Sequence, residues 1–235
     1  MSLLTVVQKA CRLLSLPVPV EVVNSTDVQV QQLYELANEE GNELASAYDW
    51  QIMRRQHTFT TVADADQPTA VPSDWDRFCA NTFFNRSTRR TVIGPITPQQ
   101  WQAIQAQPQL NRVFLAFIER DGKFLITPTP AAGEVVAYEY VTKDWCYSSD
   151  TVPVPRADYE ADSDTAYISE KLIILGLRWR FLKSKGLEYG EDYQTYMTQR
   201  TQVMARDGGN SMITTTGDGQ YLLSPNIPSG GFPGP

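Results

Sequence analysis

The chain has 235 residues, a hydrophobic content of 42%, an aromatic content of 11% and a formal net charge of −7. That length can bury a sizeable core as one large domain or two small ones, and the hydrophobic share is ordinary for a globular protein. The acidic balance argues against a nucleic-acid coat, which needs a basic footprint, and no apolar run approaches the roughly 20 residues of a membrane helix. Met1-Ser2-Leu3-Leu4 lacks a basic region and a small-residue cleavage site, which predicts synthesis and use in the cytosol.

A first helix is predicted over residues 2–15, capped by Ser2, with Leu3, Val6, Val7, Ala10, Leu13 and Leu14 on one face; Pro17 and Pro19 end it. A second helix, 26–50, starts at a capping box of Thr26 and Gln29, with Asp27 at the positive end of the helix dipole. Its buried stripe is Val30, Leu33, Tyr34, Ala37, Leu44 and Tyr48. The opposite face carries Glu35, Glu39, Glu40 and Glu43 with no basic residue before Arg54. From Gln56 the period falls to two, with His57, Phe59 and Thr61 alternating against Thr58 and Thr60, a strand pattern. Residues 63–71 read as a polar loop, and 78–84 and 91–93 as short strands. Thr97-Pro98-Gln99-Gln100 predicts a capped helix over 98–107.

Residues 113–119 and 124–128 flank Arg120-Asp121-Gly122-Lys123, the strongest hairpin signal in the chain, and 134–143 reads as a further strand. Residues 148–164 read as a linker with Pro153, Pro155 and the acids Asp158, Glu160, Asp162 and Asp164. A third long helix is expected over 165–184, with Ile168, Leu172, Leu175, Trp179 and Leu182 on one face. Arg178, Arg180, Lys183 and Lys185 gather at its C-terminal end, where cations offset the dipole, and Gly186 stops it. A fourth, 191–206, carries Tyr193, Met197, Val203 and Met204 and ends at Gly208-Gly209. From Ser211 the sequence has one charged side chain, Asp218, and no periodicity, which reads as an extended arm.

The expected class is therefore α+β: a helical bundle from N- and C-terminal helices, an inserted small antiparallel β region and an extended C-terminal arm. Residues 1–55 would supply the first bundle helices and 56–147 the β-rich insertion with one short helix. Residues 148–210 would be the linker and the helix pair that completes the bundle, and 211–235 the arm.

Reactive constellations are scarce. Cys11, Cys79 and Cys146 fit neither a CxxC pair nor a zinc spacing and read as small buried hydrophobes. His57, the single histidine, sits in an alternating strand, and no G-x-S-x-G elbow accompanies it. Asp158, Glu160, Asp162 and Asp164 could collect a hard cation but lack the glycine and terminal glutamate of an EF-hand, so they read as a solvated linker or partners for basic groups. Gly208-Gly209 and Gly230-Gly231 precede no helix and no lysine, so no phosphate-cradling loop is expected. No catalytic residue, metal or cofactor is assigned.

Residues 71–101, VPSDWDRFCANTFFNRSTRRTVIGPITPQQW, concentrate aromatics and arginines without any converging nucleophile or ligand set. Such a segment suits packing, with aromatic contact area and arginines that fork onto carboxylates or phosphates. Arg77, Arg86, Arg89 and Arg90 read chiefly as salt-bridging groups within or between protomers. The string Pro72, Asp74, Trp75, Asp76, Arg77, then Asn85, Arg86, Ser87, then Ile93, Gly94, Pro95, Ile96, Thr97, Pro98, Gln99 and Trp101 resembles the head-to-tail adaptor proteins of tailed bacteriophages. The resemblance extends more weakly into both flanking helical regions.

It implies a structural virion protein of the neck, not an enzyme, made in the host cytoplasm. Twelve copies would form a ring below the portal, joining the portal protein to a downstream tail or nozzle protein and continuing the DNA channel without specific DNA binding. An acidic wall suits such a conduit, because it repels phosphate. Trp75, Asp76, Arg77, Arg86, Gly94, Pro95 and Trp101 would form a core or interface motif. Glu35, Glu39, Glu40 and Glu43 would face Arg178, Lys183 and Lys185 of a neighbouring copy. Tyr221-Leu222-Leu223 would be an apolar hook by which the arm docks on its partner. Another neck or tail subunit, such as a tail-tube or tail-completion protein, is the alternative; a carboxylate-based hydrolase using Asp158 to Asp164 is the remote one.

Overall fold

A computed structural model describes residues 2–106 and 115–208. Helices α1 (Leu3–Leu13) and α2 (Val28–Ala47) are followed by a 3-10 turn at Gln51–Met53 and strand β1 (Arg54–Thr60). Short strands β2 (Trp75–Phe78), β3 (Phe84–Asn85) and β4 (Arg90–Thr91) precede α3 (Pro98–Ala106). The hairpin of β5 (Ala116–Arg120) and β6 (Lys123–Thr127) leads to β7 (Val135–Thr142). Then come β8 (Cys146–Tyr147), β9 (Pro155–Arg156), β10 (Thr165–Ala166), α4 (Glu170–Ser184) and α5 (Gly190–Asp207). Helix and strand are mixed and the sheets are antiparallel, as an α+β chain requires.

Several boundaries move for identifiable reasons. Ser2 caps α1 as expected, but Leu13 is exposed and the helix stops before Ser15, whose φ of 56° is left-handed. Asp27, not Thr26, is the cap of α2, its carboxylate accepting the Gln29 N–H at 2.8 Å. A strand forms at Trp75–Phe78 and not across 78–84. The expected linker is ordered: β8 pairs with both β9 and β10. Consequently α4 begins at Glu170 behind Ser169, five residues later than periodicity suggested, because Thr165 and Ala166 are held in β10. In α5 the buried residue is Tyr196, while Tyr193 and Met197 are exposed. The loop-helix signal at Thr97 is met in full: its N–H and hydroxyl pair reciprocally with Gln100.

The described residues divide into two compact units: a helical one of 2–56, 72–79 and 139–208, and a second of 57–71, 80–106 and 115–138. The second unit is built on rings. Phe83 stacks on Tyr138 at 4.4 Å between centroids and lies 4.1 Å from Phe117, which stacks on Phe124 at 4.5 Å; Phe59 meets Phe124 edge-on. The β5–β6 turn places Asp121 and Gly122 at φ of 54° and 70°, the conformation its Asp-Gly pair favours.

In the helical unit α4 packs against α1, α2 and α5. Its buried residues Leu172, Ile173, Gly176, Leu177, Trp179, Arg180 and Phe181 form a stripe broad enough to cover more than half of the helix surface, as a helix packed on three neighbours needs. One of them is a cation. Arg180 donates from Nε to Glu40 at 2.6 Å, from Nη1 to Glu39 at 2.8 Å and from Nη2 to Glu43. Glu40 therefore does not belong to an exposed acidic face: its side chain is fully buried, over Gly176, where an added Cβ would lie 2.2 Å from the carboxyl carbon. Burial pushes the Glu40 pKa up although Tyr196 and Arg180 pull it down. Glu40 Oε1 and the Tyr196 hydroxyl, which sense each other's charge, make no well-formed hydrogen bond.

Removing one partner of a buried pair strands the other, at a cost of about 3–5 kcal/mol. Arg180→Met is expected to lower stability by that order in urea unfolding, and Glu40→Leu with Arg180→Met to recover part of it. A carboxyl with a raised folded pKa binds its proton more tightly folded than unfolded. Its contribution is therefore greatest at low pH and is lost as pH rises through the folded value. In Arg180→Met the pH-dependent loss should be larger than in the parent and extend to higher pH, because Arg180 no longer pulls the Glu40 pKa down.

Candidate functional site

The 71–101 segment contributes to both units, and many of its polar residues, though not the Arg86 and Arg89 side chains, are committed within the chain. Helix α2 has no basic residue in its last turn, so its terminal carbonyls need outside donors. Arg77, on β2, supplies them: Nη2 donates to the carbonyls of Ala45 and Tyr48 at 3.1 and 2.9 Å. Its Nε meets Asp49 at 2.6 Å, and its Nη1 meets Asp76. The Trp50 indole N–H donates to the Leu44 carbonyl at 2.7 Å. The guanidinium also offsets the negative end of the helix dipole.

Asp74 accepts from Arg55 at 2.8 Å and from the Tyr140 hydroxyl at 2.9 Å. Burial and then Asp74 push the Tyr140 pKa up to about 12, so its hydroxyl remains a donor at neutral pH. Trp75 is half-buried with its ring 4.8 Å from Phe78.

In the second unit Asn85, 1% exposed, accepts the N–H groups of Ser87 and Thr88 and donates to Glu134 at 2.6 Å. This fixes the β3–β4 turn, on which Arg86, Arg89 and Arg90 are exposed. Gly94 is required by close approach: a Cβ there would lie 2.6 Å from the Phe117 ring and 2.7 Å from its carbonyl oxygen. Pro95 is exposed beside it, and Trp101 is buried on α3.

The acids and bases expected to meet between copies do not meet one another within the chain, and most have other partners there. Glu39, Glu40 and Glu43 converge on Arg180, and Arg200 adds a 3.5 Å contact to Glu43. Arg178 pairs with Asp192 of α5. Lys183 lies over the Trp179 ring and Lys185 over Phe181. Glu35 is exposed on α2. Sequence reasoning missed the Arg180 cluster, although a signal existed. Glu40 falls at the same three-and-four spacing as Leu33, Ala37 and Leu44, so it shares their buried stripe.

The remaining candidates for chemistry have structural tasks. Asp162 accepts the backbone N–H groups of Val22 and Val23. Asp164, fully buried, takes Arg156 and the N–H groups of Glu160 and Ala161 on one oxygen. Asp158 accepts from Asn42 at 2.8 Å and Glu160 pairs with Arg156. Of the two readings the sequence left open for these acids, pairing with a basic group holds for Glu160 and Asp164 through Arg156, and together they brace a folded loop. Among the described residues no group of His, Cys, Asp and Glu is arranged to hold a metal ion. His57 reaches the Thr69 carbonyl at 3.0 Å and lies edge-on to Tyr138. All three cysteines are buried thiols with raised pKa values, caused first by burial, which keeps them protonated. The hook Tyr221, Leu222 and Leu223 lies outside the described residues, and no described helix is long and apolar enough to cross a membrane.

Most of the placed motif residues cap helices, pin turns or fill cores. Residues 1–212 match the family model of the SU10 adaptor protein, and the chain belongs to that family. It is thus a bacteriophage structural adaptor and a virion component, as the resemblance of residues 71–101 implied. Comparison with curated proteins finds no match.

Because Arg77 makes several charge-assisted bonds at once, Arg77→Met should cost roughly 1.5–3 kcal/mol. Arg77→Lys should recover little, since one ammonium cannot span two carbonyls and two carboxylates. Thermal unfolding followed by circular dichroism measures both; a lysine variant as stable as the parent would contradict the assignment.

Proposed function

We propose that the protein is a head-to-tail adaptor that closes as a ring below the portal, joins the portal to the next tail component and continues the DNA channel. The observation that carries this is the family match over residues 1–212. The commitment of residues 71–101 to internal scaffolding adds support. The action is adhesion and geometry: identical copies meet head to tail, one face of each against a different face of the next, the arrangement that closes rings. Twelve copies would match the portal, as the family resemblance implies. The helices of 1–55 and 148–210 would form the ring body, and 56–147 the projecting β region.

Residues 211–235 are the proposed portal-binding arm, with Tyr221, Leu222 and Leu223 as its apolar anchor. The family match ends at residue 212, so most of the arm falls beyond the shared region, where partner choice can be set separately from ring geometry. The arm's polar, nearly uncharged composition would let free copies stay soluble until a portal is present. Glu35, Lys183 and Lys185 are exposed charges of the helical unit open to a neighbour, whereas Glu40 is buried on Arg180.

Deleting residues 211–235 should abolish attachment to portal-bearing capsids while leaving the thermal transition of the remaining chain in place. Sedimentation of capsids with bound adaptor measures this, and undiminished attachment would contradict the assignment of the arm.

A further inference from the structure

The two units differ in charge. Acids outnumber bases among the described residues of the helical unit, whereas in the second unit they balance, and its arginines gather at the β3–β4 tip. Arg86 and Arg89 have no ion pair among the described residues. Their backbone is nevertheless fixed. Asn85 Oδ1 accepts the Ser87 and Thr88 N–H groups at 3.1 and 3.0 Å. Ser87 Oγ accepts the Val135 N–H at 2.9 Å, and the Arg86 N–H reaches the Val135 carbonyl at 2.7 Å. Arg89 is held at a left-handed φ of 57°. A tip braced in this way loses little backbone freedom on docking.

The helical unit presents a complementary surface. Asn42 and Asn38 of α2 tie down the 158–160 loop through the Asp158 carboxylate and the Tyr159 N–H, and the Tyr34 hydroxyl donates to the Tyr159 carbonyl at 2.6 Å. Glu35 and Glu39 thus share an outer face with Asp158 and Glu160. The side chains of Glu39 and Glu160 stay 62% and 67% exposed despite their pairing with Arg180 and Arg156, so each can accept a second cation.

We propose that the β3–β4 tip of one copy docks on this face of the next, with Arg86, Arg89 and Arg90 against Glu35, Glu39, Asp158 and Glu160. This deepens the ring proposal and rests on it. Arginine suits the role because its planar fork engages two carboxylate oxygens at once. The chain carries one tip and one face, which is the heterologous pair a ring repeats. Duplex DNA is the less favoured occupant: three arginines would have to hold phosphate against a chain of net charge −7.

The test uses the full chain carrying Arg89→Cys with Glu35→Cys, bound to portal-bearing capsids and treated with a bismaleimide. Its native cysteines are buried and slow to react. A ladder of covalent multimers on a denaturing gel is expected. Attachment with only monomers, or with an intramolecular cross-link, overturns the contact while leaving the ring reading intact. Failure of the unmodified chain to assemble or attach removes the ring reading and this inference together. As a second measurement, Arg86→Glu with Arg89→Glu should weaken assembly by about tenfold or more at low salt, and Glu35→Arg with Asp158→Arg in the same chain should restore it. Unchanged assembly accompanied by lost binding of a short duplex would instead assign the tip to DNA and overturn the proposal.

Discussion

Arg180 is the constraint around which the helical unit is arranged. A guanidinium stays charged at any accessible pH, so a buried one must be met by carboxylates. Three come from two adjacent turns of α2, and the one most deeply buried, Glu40, occupies space that exists because residue 176 has no side chain. Apolar packing alone would let α2 and α4 slide past each other with modest change in buried area. A three-carboxylate clamp on one cation fixes their register, the best-attested use of buried charge. Register matters for a protein whose proposed work is to present faces to identical neighbours.

The same economy appears at the end of α2. Its terminal carbonyls are satisfied by Arg77 and Trp50, which lie outside the helix, so the helix end and β2 are fixed together. Strands β1 and β7 each begin in one unit and end in the other, and the 71–101 segment likewise contributes to both. The concentration of aromatics and arginines in that segment is explained by these internal tasks. Asp74, Arg77, Asn85, Gly94 and Thr97 each have a named partner, leaving the arginines of the β3–β4 turn as the part directed outward.

Much of the fold was legible where a local rule has no competitor. Ser2, the Thr97–Gln100 box and the Asp121-Gly122 turn each specify their element through a short-range hydrogen bond or backbone preference, and each is found. The misses occurred where tertiary partners decide. Periodicity ran the third long helix back to Thr165, but pairing of Thr165 with Tyr147 and of Ala166 with Cys146 converts its start to a strand. The acids at 158–164 look like a solvated run because their partners, such as the Val22 and Val23 amides, are more than a hundred residues away in sequence. Glu40 was placed by its charge when its position in the apolar stripe should have governed. The family was legible from side chains, because the motif positions bear specific structural loads; a surface for a neighbour is harder to read, because complementarity belongs to pairs of faces and not to a spacing.

The proposed function resides in the meeting of complementary faces on identical copies and not in a reactive centre. Electron cryo-microscopy of portal-bearing capsids incubated with the full chain tests it most directly. The account predicts a closed ring of density beneath the portal, sharing its rotational order, with the helical unit of each copy touching the next. Isolated copies scattered on the capsid, or a ring whose neighbours meet nowhere on the helical unit, would contradict it.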